Sequence, residues 1–241
     1  MSDYKLNFLL SLLTPFKDKP VRLLDMGAGR SASFASILPK FPQLEYFAVE
    51  QDLDSVAAAK NNLSQFSNVT FINDYGENLA KRYPNYFDIT ISLSVLEHVK
   101  YLEEFLKSSV LVTKPGGLIL HRYDLGHSLH APFAERLKVK LCNRFPFLFP
   151  ASYFTFHPTH EVIVSILNEF GAKVKEVTQS QMPNLKRIMN MLDWSEPESE
   201  IISNKIVELE KMVFDYLKDR ADSSLLEEIL PTITVAATKR L

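Results

Sequence analysis

The sequence predicts an α/β fold: a doubly wound, mainly parallel sheet with helices on both faces. Three observations predict it. Strand-like apolar runs alternate with helix-length segments from residue 21 to 123, acids close successive strands, and a glycine turn follows the first of them. Strands separated by segments of this length need right-handed crossovers, which place helices on both faces of the sheet. Ligands in such sheets bind beyond the carboxyl ends of the strands.

The elements follow in order. Leu6–Leu13 reads as an amphipathic helix that ends near Thr14-Pro15. Val21–Asp25 is the first strand and meets the glycine turn. Ser33–Leu38 is a helix stopped by Pro39, and Glu45–Glu50 is the second strand. Leu53–Leu63 is a helix with three central alanines. Val69–Asn73 is a third strand, and 78–83 is helical before Pro84. Phe87–Leu93, rich in β-branched residues, is the fourth strand. A long helix is expected over Val95–Thr113, then a Lys114-Pro115-Gly116-Gly117 turn and a fifth strand, Leu118–Tyr123. Residues 126–158 show no clear periodicity. Thr159–Phe170 is a helix that Thr159 can cap and Gly171 ends. Ala172–Thr178 is a strand, 183–192 and 198–220 are helices, and Pro231–Thr238 is the final strand. The expected organisation is a cap helix (1–20), a ligand-binding core (21–125), a lid or substrate insertion (126–158), a core helix and strand (159–180), a helical insertion (181–230) and the last core strand (231–241).

Composition narrows the function. Against 27 Lys and Arg stand 29 Asp and Glu, a net charge of −2. Recognition of a phosphate backbone needs a concentrated basic face, so nucleic acid is disfavoured as a partner. Arg136, Lys138, Lys140 and Arg144 form one local basic cluster, which a solvated helix face explains equally well. Cys142 is the only cysteine, which excludes an intrachain disulfide and a Cys-rich metal site. A reducing compartment, the cytoplasm, is expected. Apolar runs fall short of the roughly 18 residues of a membrane span, and no leader pattern precedes Leu6, so no membrane partner is expected.

The chemistry concentrates in Asp25-Met26-Gly27-Ala28-Gly29. The glycines allow a tight turn and close approach of a ligand, to which the next helix offers free N–H groups. Asp25 suits a ligand ammonium and would repel a pyrophosphate. Glu50, at the end of the second strand beside Gln51, can accept from two ribose hydroxyls. Asp74, after the third strand, can accept from an adenine amino group, with Tyr75 packed on the ring. Singly each acid is an ordinary strand-end residue; three in succession beside one glycine turn form a pattern.

This series resembles the class I S-adenosylmethionine-dependent methyltransferases, and within them a small-molecule branch. Asp25–Gly29, Val49-Glu50, Asp74, Ser94-Val95-Leu96-Glu97-His98-Val99 and Lys114–Gly117 match its motifs in order over 21–123, about half the chain. The resemblance implies a Rossmann-like seven-stranded sheet with an antiparallel last strand. It also implies S-adenosyl-L-methionine as cofactor, held by Asp25, Gly27, Ala28, Gly29, Glu50, Gln51, Asp74, Tyr75 and Ser92. Nucleic-acid amino-methylating relatives carry an Asp/Asn-Pro-Pro-aromatic motif where this chain has Ser92-Leu93-Ser94-Val95.

Methyl transfer needs alignment, exclusion of water and, for a weakly acidic acceptor, a base. Histidine is the natural base near neutral pH. The expected catalytic set is His127 as base, Asp124 as its partner and His98 near the substrate. His121, Tyr123, His130 and Phe154 are expected to contact an acceptor, most simply a hydroxyl of a sugar or natural product. No metal is expected, because Ser94 stands where metal-dependent relatives carry a further Glu. Phe145, Phe147, Phe149, Tyr153, Phe154 and Phe156 are expected to pack the first insertion onto the core. Trp194, Met182, Met189 and Met191 are expected to pack helices. Other readings are a protein, N- or C-methyltransferase, a non-catalytic cofactor-binding subunit, and an NAD(P)-dependent oxidoreductase. The last would use Gly27, Gly29 and Ala32 for phosphate. Acceptor identity and oligomeric state are not legible in the sequence.

Overall fold

The computed structural model describes residues 3–129, 132–150, 154–193 and 196–241. Among them seven strands form one sheet: β1 (Val21–Met26), β2 (Leu44–Glu50), β3 (Val69–Asn73), β4 (Phe87–Leu93), β5 (Thr113–Asp124), β6 (Ala172–Ser180) and β7 (Thr232–Lys239). Their spatial order is β3-β2-β1-β4-β5-β7-β6. Pairings from β3 through β5 are parallel, and β7 is antiparallel to both β5 and β6. This is the Rossmann-like arrangement with an antiparallel last strand. The order reverses beside β1, so the carboxyl ends of β1 and β4 border a crevice.

Central strands are mainly apolar because both faces are covered. Along β1, side chains alternate. Leu24 and Met26 enter one core with Phe105, Leu106, Ile163 and Leu167. Leu23 enters the other, with Leu9, Leu13, Phe34, Ile37 and Tyr46. The first layer is supplied by α4 (Leu102–Val112) and α7 (His160–Glu169); the second by α1 (Asp3–Leu13) and α2 (Phe34–Ile37). The helix α3 (Leu53–Asn62) starts at Asp52, whose carboxylate accepts from the Ser55 N–H at 2.8 Å.

Several local expectations are corrected. The long helix over 95–113 is a 3₁₀ turn, Leu96–His98, followed by α4. The break has a backbone cause: Ser94 has φ +60°, and Val99 is extended. The 78–83 helix is a 3₁₀ segment, Gly76–Lys81. The glycine turn at 114–117 lies inside β5, which starts at Thr113 and shifts register against β4 between Phe87 and Ile89. Thr159 is the N-cap of α7 but its side chain makes no capping bond; Gly171, at φ +94°, follows the helix as expected.

The aperiodic stretch after β5 holds α5 (Gly126–Leu129) and α6 (Phe133–Arg144). The second insertion holds α8 (Pro183–Met189), α9 (Pro197–Leu217) and a further helix, α10 (Ser223–Ile229). Met189 is buried with Ile206 in a small separate cluster, whereas Met191 is 84% exposed and packs no helix. Trp194 lies outside the described residues.

Candidate active site

A cleft of about 280 Å³ opens at the carboxyl ends of β1, β2 and β4. Gly27, Gly29, Glu50, Gln51, Asp74 and Tyr75 line it, with Val49, Ser94, Val95, His98 and Phe105 among the other walls. The two turn glycines do different work. A Cβ on Gly27 would lie 2.6 Å from Val95, so this glycine lets Val95 seat against the turn. A Cβ on Gly29 would meet nothing within 4 Å, so this glycine presents bare backbone to the cleft. Both have positive φ, +80° and +54°. The N–H groups of Gly27 and Ala28 both donate to the Val49 carbonyl at 2.9 Å, and Ala28 is buried. Ala28 therefore shapes the turn from below.

Glu50 is clamped in position. One carboxylate oxygen accepts from the Gly29 N–H and the other from the Asp52 N–H, each at 2.9 Å. Each oxygen keeps a lone pair for a ligand hydroxyl. Asp74 is more heavily used: Oδ1 accepts from the Tyr75 N–H and from Asn78, and Oδ2 faces Arg82 at 3.5 Å.

Asp25 does not line the cleft among the described residues. Strand alternation turns it to the α1 face, where the Tyr46 hydroxyl donates to Oδ2 at 2.9 Å. Its other oxygen, Oδ1, is buried with no hydrogen-bond partner. Burial pushes its carboxyl above the usual range, opposed by the Lys5 charge and the Tyr46 hydroxyl.

Three of the expected contact residues lie elsewhere. Ser92 and His121 are fully buried between the sheet and α4. Ser92 Oγ is 2.7 Å from His121 Nδ1, and Ser109 Oγ is 3.1 Å from Nε2. Ser109 donates its one hydroxyl hydrogen to the Leu106 carbonyl, so Nε2 carries the ring proton and Nδ1 accepts from Ser92. Burial pushes this imidazole down to about 3. It is a neutral core histidine: on β5 the residue facing α4 is a packing position. Tyr123 is also fully buried, and its hydroxyl has no partner.

A second cavity of about 340 Å³ is lined by Glu97, His98, Asp124, Glu135, Lys138, Val139, Thr155 and Phe156. The exposed His98 lines both this cavity and the first cleft, and its Nδ1 is 3.4 Å from the Thr155 hydroxyl. Asp124 accepts from the Gly126 N–H at 2.8 Å and pairs with Lys186 at 2.5 Å. It also lines a third, smaller cavity with Lys5, Phe8, Ser94 and Arg122. Phe154 is buried and packs on Phe156 at 5.3 Å, whereas Phe145 and Phe147 are exposed rather than packed on the core. His127 belongs to α5, but its side chain, like His130 and Tyr153, lies outside the described residues.

The sequence places Glu97 in a matched motif, where a helix-start hydrogen bond is expected of it and no part in the chemistry. Its carboxylate is 3% exposed, and neither oxygen has a hydrogen-bond partner. Burial raises it to about 7, opposed by the nearby backbone N–H groups of Glu97 and Asp124 and assisted by the Asp124 charge. The signal was present: an acid at the start of a short turn after a buried strand, followed by His98. Its burial becomes visible only once the Phe156 N–H is bonded to the Glu97 carbonyl at 3.0 Å, which closes the first insertion over it.

The comparisons agree with this geometry. The family model of a methyltransferase domain matches residues 24–119. A malonyl-[acyl-carrier protein] O-methyltransferase from Halalkalibacterium halodurans is 28% identical over 122 residues, which cover 48% of this chain and 45% of that enzyme. The chain thus matches about half the length of that relative. A SAM-dependent methyltransferase from Archaeoglobus fulgidus superposes with a TM-score of 0.58 at 18% identity, covering 99% of this chain and 95% of that one. A Haemonchus contortus phosphoethanolamine N-methyltransferase 2 in complex with S-adenosyl-L-methionine gives 0.60 at 18% identity over 98% of this chain and 53% of that one. Residues 24–119 thus match a methyltransferase domain, and the fold is that of solved S-adenosylmethionine-dependent methyltransferases. S-adenosyl-L-methionine is the cofactor that such a domain implies. The residues present fit that group: Gly29 offers open backbone, Glu50 is a fixed hydroxyl acceptor, and Asp25 Oδ1 is an unsatisfied buried acceptor.

Proposed function

We infer that the protein methylates a hydroxyl of a small-molecule acceptor, of sugar or natural-product type. The observation that carries this reading is the pair of cavities that share His98, one lined by the glycine turn and acids, the other by Glu97 and Asp124. S-adenosylmethionine, when bound, supplies an electrophilic methyl group on a sulfonium. Gly29, Glu50, Gln51, Asp74 and Tyr75 would hold its nucleoside part, and Asp25 its ammonium. Phe105 and Val95 provide apolar walls, which strengthen every polar contact inside by excluding water.

On the acceptor side a proton must leave as the acceptor attacks. Glu97, His98 and His127 are the candidate acceptors of that proton, and Asp124 holds the charge balance through Lys186. A carboxyl near 7 is matched to that task at neutral pH. Positive φ at Ser94 places a strained residue where the cleft meets the third cavity, a position at which such strain is kept for function.

The test is transfer of a radiolabelled methyl group to a panel of sugars, phenols and small amines, read by product masses. Labelled ether products support the reading. Labelled amine products alone would replace O- with N-methylation, and label on added proteins alone would replace the acceptor class.

A further inference from the structure

The outer face of α6 carries two parallel rows. Phe133, Leu137 and Leu141 recur every fourth residue and stand 75%, 44% and 40% exposed. Arg136, Lys140 and Arg144 recur at the same spacing beside them. A helix brings residues four apart onto one face, so the rows run side by side along the axis. The opposite face is the packed one: Val139 and Cys142 are buried, and Glu135, Lys138 and Val139 line the acceptor cavity. Directly after the helix, Phe147 and Leu148 are 75% and 65% exposed on the 3₁₀ turn Pro146–Leu148.

A globular chain rarely gathers this much apolar surface without a partner. The charge says which partner. Residues 133–148 hold four cations and one acid within a chain of net charge −2, and the acid is on the cavity side. Apolar and aromatic side chains flanked by Arg and Lys are the pattern of a helix that lies in the boundary of an anionic bilayer. No helix among the described residues is long and apolar enough to cross one. We propose that α6 and the turn after it dock the protein peripherally on an anionic lipid surface, with the acceptor cavity on the helix's inner side. This goes beyond methyl transfer and does not depend on it. The absence of a spanning segment, from which no membrane partner was expected, leaves such docking open.

The test is co-sedimentation of the full chain with vesicles of phosphatidylcholine, with and without phosphatidylglycerol. The protein is expected to pellet with the anionic vesicles at low salt, to remain in solution with neutral ones, and to be released by salt. Removing two charges in R136Q/K140Q is expected to lower partition about 25-fold, at roughly fivefold per cation. Phe147→Ser is expected to lower it as well, with far-UV circular dichroism and S-adenosylhomocysteine affinity unchanged in both variants. No pelleting with anionic vesicles at low salt would overturn the proposal. So would pelleting that neither variant reduces, because another surface would then carry it. A dimer in lipid-free solution that Phe133→Ser makes monomeric would also overturn it, by showing that a second copy covers the face.

Discussion

The cofactor cleft and the proposed acceptor cavity of this molecule are built on opposite terms. On the cofactor side the polar groups that line the cleft are pinned, and only Asp25 Oδ1, behind it, is left open. Glu50 is held by two backbone N–H groups, Asp74 by Tyr75 and Asn78, and the turn by the Val49 carbonyl. On the acceptor side Glu97 has no hydrogen-bond partner, and exposed apolar side chains crown α6. A site for one fixed ligand is built from satisfied groups in a rigid turn. A site that must take and lose a proton keeps a buried carboxyl poised to titrate.

The largest expected effects break this contrast on the acceptor side. Glu97→Gln is expected to lower turnover roughly 10²–10⁴-fold, the usual worth of a positioned proton acceptor. S-adenosylhomocysteine affinity, measured by calorimetry, should stay unchanged. Equal loss of both would place Glu97 in the cofactor cleft.

The two glycines give the next effect. Gly27→Ala drives a Cβ to 2.6 Å from Val95 at a φ of +80°. It is expected to cost about 2–4 kcal/mol in thermal unfolding through overpacking and backbone strain together. Gly29→Ala meets open space and should cost only about 1–2 kcal/mol, from its left-handed backbone. It should nonetheless weaken cofactor binding, because its Cβ enters the cleft. Equal destabilisation by both would remove the division of labour between them.

The pH dependence of stability is subtler, because two buried groups oppose each other. Glu97 titrates near 7 in the folded state and at 4.5 in its absence. The folded state therefore holds an extra proton between these values, and this contribution, about 3 kcal/mol, is lost as pH rises through 7. His121 is depressed from 6.5 to about 3. There the unfolded state holds the extra proton, so stability is lost as pH falls below 6.5. Between 4.5 and 6.5 the two slopes oppose. Denaturant titrations of the wild type should vary little across that window, while Glu97→Gln should expose a stability that rises with pH. A flat profile in the variant would refute the assignment of His121 as a buried neutral group.

The sheet was legible because its signals are local. Apolar runs such as Val21–Met26, Phe87–Leu93 and Pro231–Thr238 fix strands without help from distant residues, and the antiparallel direction of the last followed from the family resemblance. Glu50, Asp74 and the glycines were legible because backbone geometry and strand ends place them. The rest depends on side-chain direction along elements whose facing is set by tertiary packing. On β5 the sequence leaves open which of His121, Arg122 and Tyr123 faces the ligand; packing against α4 buries His121 beside Ser92 and Ser109. At Asp25 the acid was legible, but its turn toward Tyr46 was not. The helix expected over 95–113 failed because Ser94 adopts positive φ to bring its N–H to the Arg122 carbonyl at 2.7 Å. A tertiary bond there overrides local propensity.

The central claim is a cofactor cleft built on the glycine turn and Glu50. Calorimetric titration of the purified protein with S-adenosylmethionine and S-adenosylhomocysteine, alongside Glu50→Ala and Asp25→Ala, tests it most directly. The account predicts binding on the order of micromolar, weakened about tenfold or more in each variant as charged hydrogen bonds are lost. Absence of binding to the folded wild-type chain, or binding that Glu50→Ala leaves untouched, would contradict it.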